Sequence, residues 1–436
     1  MQIQLDKNQQ SAIDAVLDLV FNQTGKRLHF IAGGPGRGKS TIINTVIVEL
    51  KRKGAMNIRI CAPTGKAAVV VNQMLAKANA HSGEHSGDLP VPPASTIHRL
   101  LGCLGPGQWI YNSDNRLEAD IIILDEGSMV DVQLFSKLLT SIVPSCRVVI
   151  LGDHKQLAPV GPGCPFHDFV TNGSPELVSK LTTNYRQVAG SHLADAVEDI
   201  SDGKMVKFCE NNTTGDNQDA ATVKKAADFF FHACDDRDDV ANALADVIEP
   251  WYLAGDDFLC IVPQRKGPIG YEKLNPILQE RLNPGSGTGV NVYGTLIKAG
   301  DIVRQIKNDY KLGTSGIFNG YIGRVVYADD KSCVVEYPGW PHPEQVEYTE
   351  REQLNNLTLG YAITCHSAQG SQAQKVVYLA HRSNYGMLTN QNIYVGVSRA
   401  QHECHIVGQL DMVQRSIKNN KQISRNTHLK ELLKKQ

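Results

Sequence analysis

Residues Leu28 to Arg52 read LHFIAGGPGRGKSTIINTVIVELKR. Leu28 to Ala32 is a short apolar run that reads as a buried strand, and Thr41 to Arg52 spaces its apolar residues as an amphipathic helix. Between them, Gly33-Gly34-Pro35-Gly36-Arg37-Gly38-Lys39-Ser40 fits the G-x-x-x-x-G-K-S pattern. Glycines let backbone N–H groups converge on a β-phosphate, at a helix N-terminus whose dipole also favours negative charge. Lys39 is expected to bridge the β- and γ-phosphates of a nucleoside triphosphate, and the Ser40 hydroxyl to ligate Mg2+.

A phosphate loop needs carboxylates nearby for the metal and for the attacking water. Ala119 to Glu126 (ADIIILDE) supplies them: four apolar residues read as a strand buried on both faces, as in a parallel sheet. Asp125 and Glu126 emerge at its carboxyl end, where open α/β sheets bind ligands. Asp125 suits the metal site and Glu126 suits the general base. The layout repeats. Ile58 to Ala62 ends in Pro63-Thr64-Gly65-Lys66, and Arg147 to Leu151 ends in Gly152-Asp153-His154-Lys155-Gln156-Leu157. Each short strand terminates in a polar motif on one edge of a sheet, with Gln156 placed to sense the γ-phosphate.

Bulk properties are those of a globular chain. It has 436 residues, enough for roughly two to four domains, with 42% hydrophobic and 20% charged. A net charge of −1 excludes a protein that coats nucleic acid permanently, though not one that binds it in a local groove and lets go. MQIQLDKNQQ has no apolar core of a signal peptide, and runs such as Ile121 to Leu124 fall far short of the roughly 18 residues a membrane span needs. Ten cysteines without a C-x-x-C pair fit reduced thiols and a cytoplasmic setting, host cytoplasm if the source is viral. His402, Cys404 and His405 alternate inside an apolar segment and are read as structural.

Taken in order, the motifs resemble those of the superfamily 1B helicases, the RecD-like and Dda-like motors. Leu5 to Gln9 looks like the Q-motif, with Gln9 reading adenine; Gly33 to Thr41 matches motif I and Ala62 to Ala68 motif Ia. Ser95 to Leu101 is close to the next DNA-contacting motif, Asp125 to Val130 is motif II, and Gly152 to Val160 is motif III. Leu181 to Gln187 looks like motif IV, with Arg186 as its arginine; Tyr361 to Gln372 is similar to motif V and Asn392 to Ala400 to motif VI. Three positions depart from the family pattern. Arg37 stands where Thr is usual, Gly127 where Ala is common, and Ser367 where a Lys follows the motif V histidine, which removes one expected cation near DNA.

The resemblance implies two RecA-like parallel-sheet motor domains with ATP and Mg2+ between them. Lys39, Glu126, Gln156, Arg186 and Arg399 would carry hydrolysis. Gln9, Gly34, Pro35, Gly36, Arg37, Gly38, Lys39, Ser40, Thr41, Gln156 and Gly370 would hold ATP, with Ser40 and Asp125 on the metal. Pro63, Thr64, Lys66, Thr96, His98, Trp109, Thr364 and His366 would meet single-stranded DNA. Arg399 is the leading candidate for an arginine reaching the γ-phosphate from the second domain.

The expected domains are 1–178, then 179–298 with 356–436, and an SH3-like insertion over 299–355 whose strands are Asp301 to Lys307, Tyr321 to Tyr327 and Ser332 to Tyr337. In the second core, Phe258 to Val262, Leu359 to Cys365, Lys375 to Ala380, Asn392 to Val397 and Cys404 to Gly408 read as parallel strands, and Gly203 to Asp246 as surface helices and loop. A β-hairpin insertion is expected near 103–118, turning at Asn112 to Asn115. Its Trp109 and Tyr111 either stack on bases or pack the hairpin onto the domain. The basic stretch Met412 to Gln436, with seven Lys or Arg, reads as a solvated tail.

The function expected is a bare ATP-dependent DNA helicase motor, moving 5′→3′ on single strands and acting at single-strand/duplex junctions. An ATP-gated binding switch and an RNA helicase stay open as alternatives. No replication or recombination partner is legible.

Overall fold

The computed structural model describes residues 5–22, 25–54, 57–82, 92–185, 191–209, 227–285, 287–339, 342–420 and 428–433. The chain divides into two compact units, Met1–Arg186 with Ile423–Gln436, and Gln187–Gln422.

The first unit contains α1 (Lys7–Phe21), β1 (Leu28–Gly33), α2 (Lys39–Arg52), β2 (Ile58–Ala62), α3 (Gly65–Ser82), β3 (Ser95–Thr96), α4 (Ile97–Leu100), the hairpin β4 (Cys103–Gly105) and β5 (Gln108–Trp109), β6 (Ile121–Leu124), α5 (Val132–Thr140), β7 (Arg147–Gly152), α6 (Pro165–Asn172) and β8 (Val178–Leu181). Six of these strands form a parallel sheet in the order β3-β2-β6-β7-β1-β8. Successive strand residues point to opposite faces, and the core divides accordingly. Ile31, Ile121, Ile123, Val149 and Leu151 pack with α1, α2 and α3. Phe30, Ile122, Leu124, Val148 and Ile150 pack with α4, α5 and α6. Burial on both faces is why these strands read as unbroken apolar runs. The sequence division at 178/179 falls inside β8, which pairs with β1 from Phe30↔Val178 to Gly33↔Leu181.

The second unit opens with α7 (His192–Ser201), β9 (Phe229–Ala233), α8 (Val240–Ala254), β10 (Phe258–Val262) and α9 (Tyr271–Leu282). A hairpin, β11 (Gly289–Val292) with β12 (Thr295–Lys298), leads into β13 (Ile302–Gln305), β14 (Ile322–Ala328), β15 (Cys333–Tyr337), β16 (Glu344–Tyr348), α10 (Arg351–Leu354) and β17 (Leu357–Leu359). Then come β18 (Ala362–Thr364), α11 (Cys365–Ala368), β19 (Ala373–Ala380), α12 (Asn390–Val397), β20 (Ala400–Gly408) and α13 (Leu410–Lys418). Its parallel sheet has the order β18-β10-β19-β20-β9, and the antiparallel sheet β16-β15-β14-β13-β17 folds around its own core of Val303, Val325, Val335, Tyr337 and Tyr348. The two helix-flanked parallel sheets are the RecA-like architecture expected from the motifs.

Three expectations for the second unit are corrected. Asn392 to Val397 is not a strand but most of α12, started by Thr389, whose hydroxyl accepts from the Asn392 N–H at 3.2 Å. The segment is buried on every side, so period alone could not tell a buried helix from a buried strand. Leu359 to Cys365 is two strands: β17 joins the antiparallel sheet beside β13, and β18 joins the parallel sheet beside β10. Within Gly203 to Asp246, Phe229–Ala233 is the edge strand β9, paired with β20. At the C-terminus, α14 (Leu429–Leu433) packs on α6 of the first unit.

Candidate functional site

The phosphate loop leaves β1 at Gly33 and enters α2 at Lys39. Gly36 and Gly38 sit at φ 73° and 77°, the left-handed region that only glycine adopts cheaply. Gly38 is closed off further by Gln9, whose Nε2 lies 2.2 Å from where a Cβ would stand. No side chain caps the first turn of α2, so its N–H groups face outward as an anion cradle. The Lys39 ammonium donates to the carbonyls of Gly33 at 2.6 Å and Gly34 at 3.0 Å, which holds it over the loop.

The carboxylates arrive on the same rim because the strands are in register. Leu124 lies beside Ile150 on β7, and Ile150 beside Phe30, so Asp125 leaves its strand at the level of Ile31, two residues short of Gly33 but at the same carboxyl edge of the sheet. Burial, then the charge of Glu126, push the Asp125 carboxyl up to about 6, while Lys39 pulls it down. That opposition brings Lys39, Asp125 and Glu126 within one electrostatic neighbourhood. Glu126 has φ 51°, a strained backbone for a non-glycine residue, and its Oε2 is buried with no partner among the described residues. Gln156, 5% exposed, likewise buries an unpartnered Oε1. Buried acceptors without donors are costly. They suit a site that takes a hydrated, charged ligand. The Gly127 departure has a steric cause: a Cβ there would stand 2.2 Å from Ile150 Cγ2.

Gln9 is buried and reciprocally capped with Asp6: the Gln9 N–H donates to Asp6 Oδ1 at 2.7 Å, and the Asp6 N–H to Gln9 Oε1 at 3.1 Å. The Tyr185 hydroxyl donates to Asp6 Oδ2 at 2.5 Å, and its N–H to the Gly36 carbonyl at 2.8 Å. Sequence reading missed Tyr185. Its one signal is that it precedes the arginine of motif IV. Arg37 points away from the cradle, its Nη1 donating to the carbonyls of Thr182 at 2.6 Å and Leu181 at 3.2 Å. Gly34, Pro35 and Thr41 are half-buried around the loop, and Ser40 is exposed at its end.

The residues expected at DNA gather at strand ends within each unit. In the first, Pro63, Thr64 and Lys66 follow β2, Thr96 ends β3 with Ala62 as its partner, and His98 follows it. In the second, Thr364 ends β18 and His366 follows it; Gly370, expected at ATP, follows α11 at φ 71°. The threonines share a local task. The hydroxyls of Thr64, Thr96 and Thr364 accept from Ala67, Arg99 and Ser367 N–H at 3.2, 3.1 and 3.3 Å, capping α3, α4 and α11. His98 is exposed and stacks on Trp109, with ring centroids 5.5 Å apart.

Arg399 is 3% exposed and held by its own unit, donating to the carbonyls of Val395 at 3.1 Å and Ser371 at 3.3 Å. Motifs V and VI therefore meet at this guanidinium. Arg186 lies outside the described residues. His405, read as structural, is engaged by Glu403 at 2.6 Å and His232 at 2.7 Å.

The hairpin is displaced from its expected turn. β4 and β5 are joined through Pro106 and Gly107, the latter at φ 75°. Asn112 to Asn115 is a side-chain-stabilised turn, Asn112 Oδ1 accepting from the N–H groups of Asp114 at 2.8 Å and Asn115 at 3.1 Å. The segment after it does not fold back, because Leu117 exchanges backbone hydrogen bonds with Ser141 and Val143. Trp109 is half-buried against the core, with Lys137 Nζ 5.3 Å from its ring, whereas Leu104 on the hairpin is 70% exposed.

Residues 17–162 match the AAA domain family, and residues 359–407 the UvrD-like helicase C-terminal domain family. The chain is 32% identical over 432 residues to the ATP-dependent RecD2 DNA helicase of Deinococcus radiodurans, covering 99% of this chain and 52% of that protein. It is 30% identical over 398 residues to the RecBCD enzyme subunit RecD of Mycobacterium tuberculosis, covering 87% of this chain and 66% of that protein. It thus spans 52% to 66% of the length of these relatives. The crystal structure of a Pif1 helicase from Bacteroides in complex with ADP-AlF3 and ssDNA shares the fold, at TM-score 0.53 and 17% identity, covering 95% of this chain and 94% of that one. No helix among the described residues is long and apolar enough to cross a membrane. With its motifs, its two parallel-sheet units and these relatives in agreement, the chain belongs to the superfamily 1B helicases.

Proposed function

We propose that the chain is an ATP-dependent DNA helicase motor that steps 5′→3′ on single-stranded DNA and opens the duplex at single-strand/duplex junctions. The observation that carries the reading is the arrival of Lys39 after β1, and of Asp125 and Glu126 after β6, at the carboxyl edge of one parallel sheet, with opposed pulls on the Asp125 carboxyl beside it. In this reading the uncapped N–H groups of α2 and Lys39 bind the β- and γ-phosphates of ATP, and Gln9 meets adenine. Ser40 and Asp125 would hold Mg2+, which supplies charge neutralisation on the phosphates when bound. Glu126, with one carboxylate oxygen unpartnered, orients the attacking water and takes its proton. Gln156 senses the γ-phosphate, and Arg186 and Arg399 neutralise its equatorial oxygens.

Pro63, Thr64, Lys66, Thr96, His98, Thr364 and His366 are the proposed strand contacts, made largely to phosphates and base faces. Trp109 is the weaker member, since its ring already packs on His98 and the core. We read the β13–β17 sheet as an SH3-like insertion, and the cytoplasm as the working compartment.

The test combines ATP hydrolysis, with and without single-stranded DNA, and strand displacement on duplexes with 5′ or 3′ overhangs. Wild type should hydrolyse ATP faster with DNA and unwind only the 5′-overhang substrate. Lys39→Ala should abolish hydrolysis, and Glu126→Gln should bind ATP without turnover. DNA-stimulated hydrolysis without displacement or stepping would instead mark an ATP-gated switch. A preference for RNA tracks would reassign the substrate.

A further inference from the structure

The loop after β7 and the first turn of α6 hold a set of side chains that nucleotide hydrolysis does not use. Cys164, His167 and Asp168 stand at the N-cap, third and fourth positions of α6, a spacing that puts all three on one helix face. One ligand-capable atom of each lies within 4.8 Å of the others. Cys164 Sγ and His167 Nδ1 are each 3.8 Å from Asp168 Oδ1. Two donors at the usual Zn–S, Zn–N or Zn–O lengths and a tetrahedral angle stand about 3.4–3.6 Å apart, so the two pairs that include Asp168 are within a few tenths of an ångström of that geometry, and the Cys164–His167 pair, within 4.8 Å, closes by a side-chain rotation of about an ångström.

A second observation comes from Asp168. Its side chain is 9% exposed, and it aims into this cluster. A carboxylate that is nine-tenths buried needs strong partners. A thiol and an imidazole at 3.8 Å are weak ones. His154, from the loop that carries Gln156, has its ring centroid 6.4 Å from that of His167, and its buried Nδ1 has no partner among the described residues. A further donor is thus at hand on the loop side.

We propose that Cys164, His167 and Asp168 form a structural site for a zinc-class divalent ion that pins the end of the loop after β7 to the first turn of α6. Thiolate, imidazole and carboxylate together select a borderline-soft, tetrahedral ion over Mg2+ or Ca2+. Binding releases the Cys164 thiol proton to solvent. Its ligands are not those proposed for the nucleotide Mg2+, and it does not depend on the helicase reading.

The experiment uses the full chain, stripped with chelator and titrated with Co2+, with Zn2+ as competitor. One equivalent of Co2+ should produce a thiolate-to-cobalt absorption band that Zn2+ removes, and Zn2+ should raise the melting temperature of the nucleotide-free protein. Cys164→Ser should abolish the band, and His167→Gln should weaken binding by about 100-fold or more. Asp168→Asn, close in shape, guards against loss of fold and should also bind weakly, with an unchanged far-UV spectrum. Absence of a thiolate band in wild type, or an unaltered band in Cys164→Ser, overturns the proposal. So does binding that Asp168→Asn and His167→Gln leave intact.

Discussion

Arg304 on β13 donates to the hydroxyl of Ser367 at 3.1 Å, and its other nitrogen to the Tyr271 hydroxyl at 3.1 Å. The motif V position where the family pattern places Lys is therefore faced here by a guanidinium from the antiparallel sheet. The cation missing from the local sequence stands next door, 8% exposed and 5.0 Å from the Tyr271 ring centre.

Restoring the family residue should do harm. Ser367→Lys sets an ammonium against a buried guanidinium and removes its acceptor. A loss of roughly 1–3 kcal/mol is expected, larger at low salt. Urea unfolding at two ionic strengths checks this. Wild-type stability together with tighter DNA binding would show that side chain 367 turns away from Arg304.

The Arg37 departure has a similar logic. Its two hydrogen bonds tie the phosphate loop to the end of β8. Arg37→Thr removes both, and net losses of about 0.5–1.5 kcal/mol per hydrogen bond set a ceiling of roughly five- to 150-fold on the weakening of ATP binding through a less ordered loop. Turnover at saturating ATP should change little. Fluorescent-nucleotide titration separates this from a direct phosphate contact, which would lower kcat as well.

His29 on β1 supplies a pH dependence. Burial, with help from Lys26, lowers its pKa from 6.5 to about 4, and its Nε2 lies 2.9 Å from the Ser179 hydroxyl of β8. The folded-state pKa is depressed, so the stabilising contribution is complete above pH 6.5 and is lost as pH falls through about 4. The unfolded chain binds that proton first. His29→Gln should flatten the acid limb of stability between those values, by about 2–3 kcal/mol at most. Melting curves at pH 7 and pH 4.5 should converge for the variant relative to wild type; equal acid sensitivity would assign the loss to other groups.

In the proposed mechanism the hairpin is where stepping and strand separation part. Replacing Leu104 to Gly107 with Gly-Ser removes the exposed Leu104 and leaves Trp109 on the core. DNA-stimulated hydrolysis should persist while unwinding falls by about tenfold or more, because splitting base pairs needs a rigid apolar obstacle. Trp109→Ala should instead cost stability, on the order of 2–4 kcal/mol for a partly buried indole. If the tip variant unwinds normally, the wedge lies elsewhere.

Much of this protein is written locally. The glycine loop, the apolar strand Ile121–Leu124 and the polar residues at strand ends each carry their meaning in consecutive residues. Backbone conformation and burial on both faces of a parallel sheet act over a few positions, so the strands of the first unit and the polar rim at their ends were legible in order. What the tertiary structure alone decided concerns partners distant in sequence. Asn390–Val397 became a helix because Thr389 caps it and packing surrounds it, and no periodicity survives complete burial. Phe229–Ala233 became a strand only because β20 offered it an edge. The hairpin moved to Pro106 and Gly107 because Leu117 bonds to Ser141 and Val143, not to its neighbours. Arg37 and Arg304 found carbonyls and a hydroxyl on other strands. A side chain states its charge and reach in the sequence, but which acceptor it meets depends on the register of strands that only folding brings together.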